Sequence, residues 1–261
     1  MAESSLKAYE VGEELALQFN KNLRAYPDAI SYLANRGVSS RLIENGKLGF
    51  CPPFFEYRFP LLRGRIIVPI RDAHGRVVAF AGRKYEPMET ITLKALWDTF
   101  DYKPSLAEKK VKQWQDGKWI NESFPKGRHL FNMDTAKKAA RERNYVVVVE
   151  GYLDALISSD RHLENTVATC GVALSEYHLA IIARYCDNIV LIMDPDEAGL
   201  KAVEKMRPMI EEAGLRCFTI TLPDGLDPDE FVLKFGGKQL RRAIEGMIAE
   251  GISHRTIEVK K

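Results

Sequence analysis

Four consecutive valines run directly into an acid at Val146-Val147-Val148-Val149-Glu150. An unbroken β-branched run of this length suits a strand covered on both faces, which is the habit of parallel sheets. A second such run, Ile189 to Met193, also ends in acids, at Asp194-Pro195-Asp196. A third acidic cluster follows at Asp227-Pro228-Asp229-Glu230. In open α/β sheets, functional groups collect at the carboxyl ends of the strands. The spacing therefore predicts that the three clusters meet on one sheet edge. Carboxylates gathered this way repel one another unless a hard divalent cation holds them, so Mg²⁺ or Mn²⁺ is expected.

The rest of the chain divides around this pattern. From Tyr145 onward strand and helix alternate, with strands expected at 145–149, 166–169, 188–193 and 216–221. Helices are expected near 152–160, 175–186, 197–213 and 237–249. That alternation predicts an α/β domain, a parallel sheet with crossover helices. Ahead of it, helices are expected over 6–23, 28–36 and from Ser39 to near Gly46. Two strands, 65–70 and 76–82, flank the turn Asp72-Ala73-His74-Gly75. The expected division is a mixed α+β basic subdomain at 1–144 and a catalytic domain with C-terminal helices at 145–261.

Charge follows the same split. Residues 1–145 hold 25 Lys+Arg against 17 Asp+Glu, and residues 146–261 hold 13 against 19. The most basic stretch carries Arg58, Arg63, Arg65, Arg71, Arg76, Arg83 and Lys84 against Asp72 alone. A basic half joined to an acidic half suggests a polyanion groove beside a metal site. Cys51, Cys170, Cys186 and Cys217 form no Cys-x-x-Cys pair, so no zinc is expected. The sequence shows no apolar run of membrane-spanning length and no apparent leader, so a cytoplasmic location, bacterial or that of a host cell, is expected.

Glu150-Gly151-Tyr152-x-Asp154 after one buried strand, and Asp194-x-Asp196-x-Ala198-Gly199 after another, resemble the Toprim domain. Leu222-Pro223-Asp224-Gly225-Leu226-Asp227-Pro228-Asp229-Glu230 narrows the likeness. So do Tyr32 to Val38, the segment Arg65 to Arg83, and Lys118-Trp119-Ile120-Asn121 with Lys126-Gly127-Arg128-His129-Leu130-Phe131. Together these resemble the RNA polymerase core of the DnaG-type bacterial and phage primases. The resemblance implies synthesis of short RNA primers from NTPs on a single-stranded DNA template. It implies Glu150, Asp194 and Asp196 as catalytic groups. It also implies Glu150, Asp194, Asp196, Asp227 and Asp229 as metal ligands. Arg65, Arg71, Arg76, Arg83, Lys118, Asn121, Lys126 and Arg128 are the groups it implies for nucleotide or template.

The family's zinc-binding and helicase-binding domains have no counterpart in these residues. A replicative helicase or a separate zinc-domain protein is therefore the further partner to expect. A Toprim metal nuclease and a non-catalytic DNA-binding or recombination-mediator protein are the alternatives, because the acidic motif is common to enzymes that join and enzymes that cut. The plainer readings are a helix cap for Glu150, a turn and helix start for Asp227 and Asp229, and core packing for Trp119, Phe131 and His129.

Overall fold

The computed structural model describes residues 2–192 and 197–257, so Asp194 and Asp196 lie outside the described residues. Contacts divide the chain into two compact units. The first takes Met1–Ile70 and Arg76–Phe124, and the second Arg71–Gly75 and Pro125–Lys261. This division differs from a cut at residue 144.

The first unit is built on α1 (Ala2–Arg24), α2 (Pro27–Asn35), α3 (Ser40–Glu44), α4 (Glu89–Phe100) and α5 (Pro104–Asp116). Its sheet has the order β1 (Gly49–Cys51), β2 (Arg65–Arg71), β3 (Val77–Lys84), β4 (Trp119–Asn121). The buried stripe Ala16, Phe19, Asn20, Leu23 faces α1 inward at helical spacing. Asn20 Nδ2 donates to the carbonyls of Ile43 (2.6 Å) and Leu48 (2.8 Å), fixing α1 to the chain between α3 and β1. Phe19 packs edge-on to Phe80 and Tyr57, with ring centroids 5.2 and 5.5 Å away. Glu122 is buried at this cluster. Its carboxylate accepts from Tyr57 Oη (2.6 Å) and from the Phe80 N–H (2.9 Å), and Arg58 approaches at 3.4 Å. Nothing in the local sequence marks Glu122 as a buried acid.

The second unit holds α6 (Met133–Arg143), β5 (Tyr145–Val149), α7 (Tyr152–Asp160), β6 (Thr166–Ala168), α8 (Glu176–Ile182) and β7 (Asn188–Leu191). It continues through α9 (Glu197–Glu212), β8 (Arg216–Thr221), α10 (Pro228–Phe235), α11 (Gly237–Glu250) and β9 (His254–Thr256). The sheet order is β6-β5-β7-β8-β9, and every neighbouring pair is parallel. All five residues of β5 are buried, as the valine run predicts. The α6 helix joins this unit because Met133, Ala136 and Ala140 are part of the same core as Val146, Val148 and Val167. The hairpin tip also belongs here, since Lys137 Nζ donates to the Ala73 carbonyl at 2.7 Å. Among the described residues, no helix is long and apolar enough to cross a membrane.

All four cysteines are buried free thiols. Burial pushes Cys51 and Cys186 up to about 12 and Cys170 up to about 11, and Tyr145 likewise to about 12. A raised folded-state pKa gives stability that is complete below the unfolded value, near 9 for a thiol, and is lost as pH climbs toward the folded value. Unfolding in urea should therefore become easier from pH 8 to 9.5, by about 0.8 kcal/mol per buried thiol. A urea midpoint unchanged over that range would contradict this burial.

Candidate active site

The parallel sheet sets the geometry of the site. With all five strands running one way, their carboxyl ends share an edge, and neighbouring strands stand about 4.8 Å apart. Glu150 follows β5 directly and is exposed. The β7 strand pairs with β5 through Val148 and Leu191, and Ile192 N–H donates to the Val148 carbonyl at 3.0 Å. Asp194 and Asp196 come next in sequence, outside the described residues. Gly151 opens the turn into α7. A Cβ there would stand 2.2 Å from Asp154 Oδ2, so the carboxylate of Asp154 lies over the Gly151 backbone.

The third acidic cluster follows β8 and starts α10, which packs on α7. Asp227 is the N-cap of α10, and Pro228 takes the first helical position. Glu230 closes a capping box by accepting the Asp227 N–H at 3.2 Å. Asp229 is buried, and its Oδ1 accepts the Glu230 N–H at 2.7 Å. The turn-and-cap reading therefore holds for both residues. Carboxylate oxygens on a single sheet edge are the donor chemistry that a hard divalent cation takes. Among the described residues, however, no three ligating side chains converge.

A basic turn shares that edge. Phe131 and Ala168 form an antiparallel bridge, exchanging hydrogen bonds of 2.9 and 3.1 Å. Traced backward from Phe131, the chain passes His129, whose carbonyl accepts from Cys170 Sγ at 3.7 Å. It reaches the 3₁₀ turn Lys126–Arg128 beyond the carboxyl end of β6. Arg128 is exposed, its guanidinium 4.7 Å from the Tyr177 ring centroid. Lys126 is half-buried, and its charge acts on the Cys170 thiol.

The structure separates the other basic residues by exposure. Arg76 is exposed and stacks on Tyr9 at 4.4 Å. Lys118 is exposed, and Asn121 is half-buried on β4 opposite Ala81. Arg71 closes its hairpin through Nη1 to the Gly75 carbonyl, 2.6 Å. Arg83 is buried, with Nε donating to Tyr32 Oη (3.1 Å) and its guanidinium 5.6 Å from the Trp119 ring. Arg65 corrects the sequence expectation. Its relative exposure is 0 %, and its donors are spent on carbonyls: Leu61 (3.0 Å), Gly82 (3.3 Å), Gly117 (2.9 Å) and Trp114 (2.6 Å). A guanidinium enclosed this way ties four segments of the first unit together and is withdrawn from solvent. Burial lowers it to about 10, so it stays charged at neutral pH.

Residues 147–232 match the Toprim-like family. The DNA primase of Aquifex aeolicus is 27% identical over 269 residues, covering 91% of this chain and 49% of the relative. That of Staphylococcus aureus strain MSSA476 is 30% identical over 241 residues, covering 80% of this chain and 35% of the relative. The chain resembles the catalytic core of the DnaG-type primases. Three solved structures agree. The Aquifex aeolicus primase, described by its zinc-binding and RNA polymerase domains, gives a TM-score of 0.74 at 25% identity, covering 92% of this chain and 60% of that one. A DNA primase domain from Pseudomonas aeruginosa gives 0.69 at 27% identity, covering 90% and 77%. A DnaG primase catalytic domain bound to ssDNA gives 0.71 at 25% identity, covering 94% and 80%. This DnaG-like chain spans about half or less of the length of the curated relatives it matches.

Sequence reasoning missed two arrangements near these residues. One is the Glu122–Tyr57–Arg58 network of the first unit. The other is the Ser175–His178 pair beneath the basic turn, which only the Ser-x-x-His spacing of a capping box hints at.

Proposed function

We propose that this chain is the nucleotidyl-transfer core of a DNA primase, joining NTPs into short RNA on a single-stranded DNA template with Mg²⁺ or Mn²⁺. The observation that carries the reading is the shared carboxyl edge of the parallel sheet. There Glu150, the start of α10 and the Lys126–Arg128 turn bring acids and cations into one unit. The likeness to primase cores over nearly the whole chain supports it.

In this reading Glu150, Asp227 and Asp229, with Asp194 and Asp196, hold the divalent ions. When bound, those ions neutralise charge at the α-phosphate and on departing pyrophosphate. The chain's own groups do the rest. Glu150 presents a negative oxygen at the edge, either as a ligand or to take the 3′-hydroxyl proton; both roles require its charge. The hydroxyl oxygen bonds to the α-phosphorus as the bond to pyrophosphate breaks. Lys126 and Arg128 supply donors to the phosphates, and Lys118, Arg76, Arg71, Asn121 and Arg83 are the further candidates for template or triphosphate. A replicative helicase or a separate zinc-domain protein is the expected partner.

Incubation with single-stranded DNA, labelled NTPs and Mn²⁺ tests the reading. Short RNA products support it, whereas shortened DNA without NTP dependence means a nuclease instead. DNA affinity should also fall with salt, each phosphate contact adding about −0.7 to the log–log slope. A salt-independent binding constant would argue against phosphate tracking.

A further inference from the structure

The Lys126–Arg128 turn is held from beneath by the first turn of α8. Ser175, the N-cap, accepts the His178 N–H on Oγ at 3.2 Å, and its own N–H donates to His178 Nδ1 at 3.3 Å. That is a capping box with histidine at the position glutamate or glutamine usually fills. Both members also reach outward to the basic turn. Ser175 Oγ donates to the Gly127 carbonyl, and His178 Nε2 lies 3.0 Å from the Lys126 carbonyl.

The two contacts of His178 fix its tautomer. Nδ1 accepts, so Nε2 carries the proton and donates to Lys126 O. The ring is fully buried, and burial lowers its pKa, which favours this neutral form. A glutamate at 178 would complete the same box but has no proton to give the Lys126 carbonyl. Capping alone therefore does not require histidine here, whereas capping together with the tether requires an acceptor and a donor on one side chain. Next to this pair, Tyr177 carries Arg128 on its ring and receives a 3.4 Å hydrogen bond from Arg128 Nη2. Ser175, Tyr177 and His178 thus hold Gly127, Arg128 and Lys126, the three residues of the turn.

We propose that His178 and Ser175 are positioning residues for the phosphate-binding turn: they fix the backbone of Lys126 and Gly127 so that the Lys126 ammonium stands at the carboxyl edge of the sheet. The proposal rests on the primase reading of that edge. The ligand is a phosphate group, either of an incoming nucleotide or of the template strand. His178 touches neither and acts through Lys126.

The test compares wild type, His178→Gln, His178→Glu and Lys126→Ala in the full chain. The affinity for ATP with Mn²⁺ and for a single-stranded oligothymidine is measured separately, with thermal melting to establish folding. Glutamine keeps an acceptor and a donor, and glutamate keeps the cap but turns an acceptor against the Lys126 carbonyl. The expected result is near-wild-type binding by His178→Gln and about tenfold weaker binding by His178→Glu. In the Lys126→Ala background His178→Glu should add nothing further. Loss confined to ATP assigns the phosphate to the nucleotide, and loss confined to the oligonucleotide assigns it to the template. Should His178→Glu fail to fold, His178→Met removes the tether without burying a charge and takes its place.

If Lys126→Ala weakens binding but His178→Glu does not, the positioning role is overturned and the primase reading stands. If Lys126→Ala binds like wild type, the positioning role is overturned as well. Absence of both ATP and oligonucleotide binding by the wild-type protein sinks the primase reading and the positioning role with it.

Discussion

If the primase reading holds, Glu150→Gln is expected to lower nucleotide incorporation by a factor of about 100 or more, without loss of fold. The substitution removes one charge and preserves shape. Glu150 is exposed at the end of β5, outside the buried core of the sheet. The strand is held by its buried valines and by pairing to both β6 and β7. The melting temperature should therefore stay within a few degrees of wild type. Affinity for single-stranded DNA should also be kept, because phosphate attraction depends on the cations. The measurement is the rate of labelled NTP incorporation at saturating template and Mn²⁺, beside a melting curve and a DNA titration. Wild-type incorporation by a folded Glu150→Gln protein would remove Glu150 from the chemistry. A protein that loses DNA binding along with synthesis would point to a role in assembling the site.

The legibility of Glu150 follows from the physics of buried parallel strands. A strand covered on both faces has no polar side to maintain, so β5 announces itself as valine, and the first acid after it marks the sheet edge. Runs of this kind also make β7 and β8 readable. The β9 strand is not, because its three residues His254–Thr256 carry no apolar run and their pairing to β8 is decided by tertiary placement alone. The α6 helix hides for a related reason. It buries Met133 and small alanines, Ala136, Ala139 and Ala140, among many charges, and such a stripe gives little hydrophobic period. A boundary read from the onset of strand–helix alternation therefore falls after α6 at residue 144, whereas packing places α6 in the second unit.

Side-chain roles were harder to read than strands, and the reason is the same at each position. A sequence reports that a group is charged, while burial and partners come from segments far away. Arg76 and Arg65 look alike in the sequence, yet one is exposed and the other enclosed. His178 has Lys126 as its partner 52 positions upstream. Glu122 meets Tyr57 across 65 positions. No local pattern carries those pairings.

Arg65→Ala should destabilise the protein by roughly 3–5 kcal/mol, in the range of losing a buried, fully bonded charge. The guanidinium does more than fill space. It satisfies the carbonyls of Leu61, Gly82, Gly117 and Trp114 and lies 4.7 Å from the Trp114 ring centroid. Removing it leaves several inward-facing carbonyls without a donor, each costing about 1–3 kcal/mol if water cannot reach it. A cavity remains beside Trp114, itself fully buried in the cluster with Leu61, Leu96 and Ile120. Arg65→Lys should recover only part of the loss, since an ammonium cannot span carbonyls that a planar fork reaches from Nε, Nη1 and Nη2. The close fit of Gly82 adds to the constraint: a Cβ there would stand 2.9 Å from Arg65 Cδ. Urea unfolding of wild type, Arg65→Lys and Arg65→Ala, followed by tryptophan fluorescence, should give midpoints in that descending order. Below its unfolding range, Arg65→Ala should still bind single-stranded DNA at near wild-type affinity, because the native side chain does not reach solvent. An Arg65→Ala protein as stable as wild type but deficient in DNA binding would return Arg65 to the template surface.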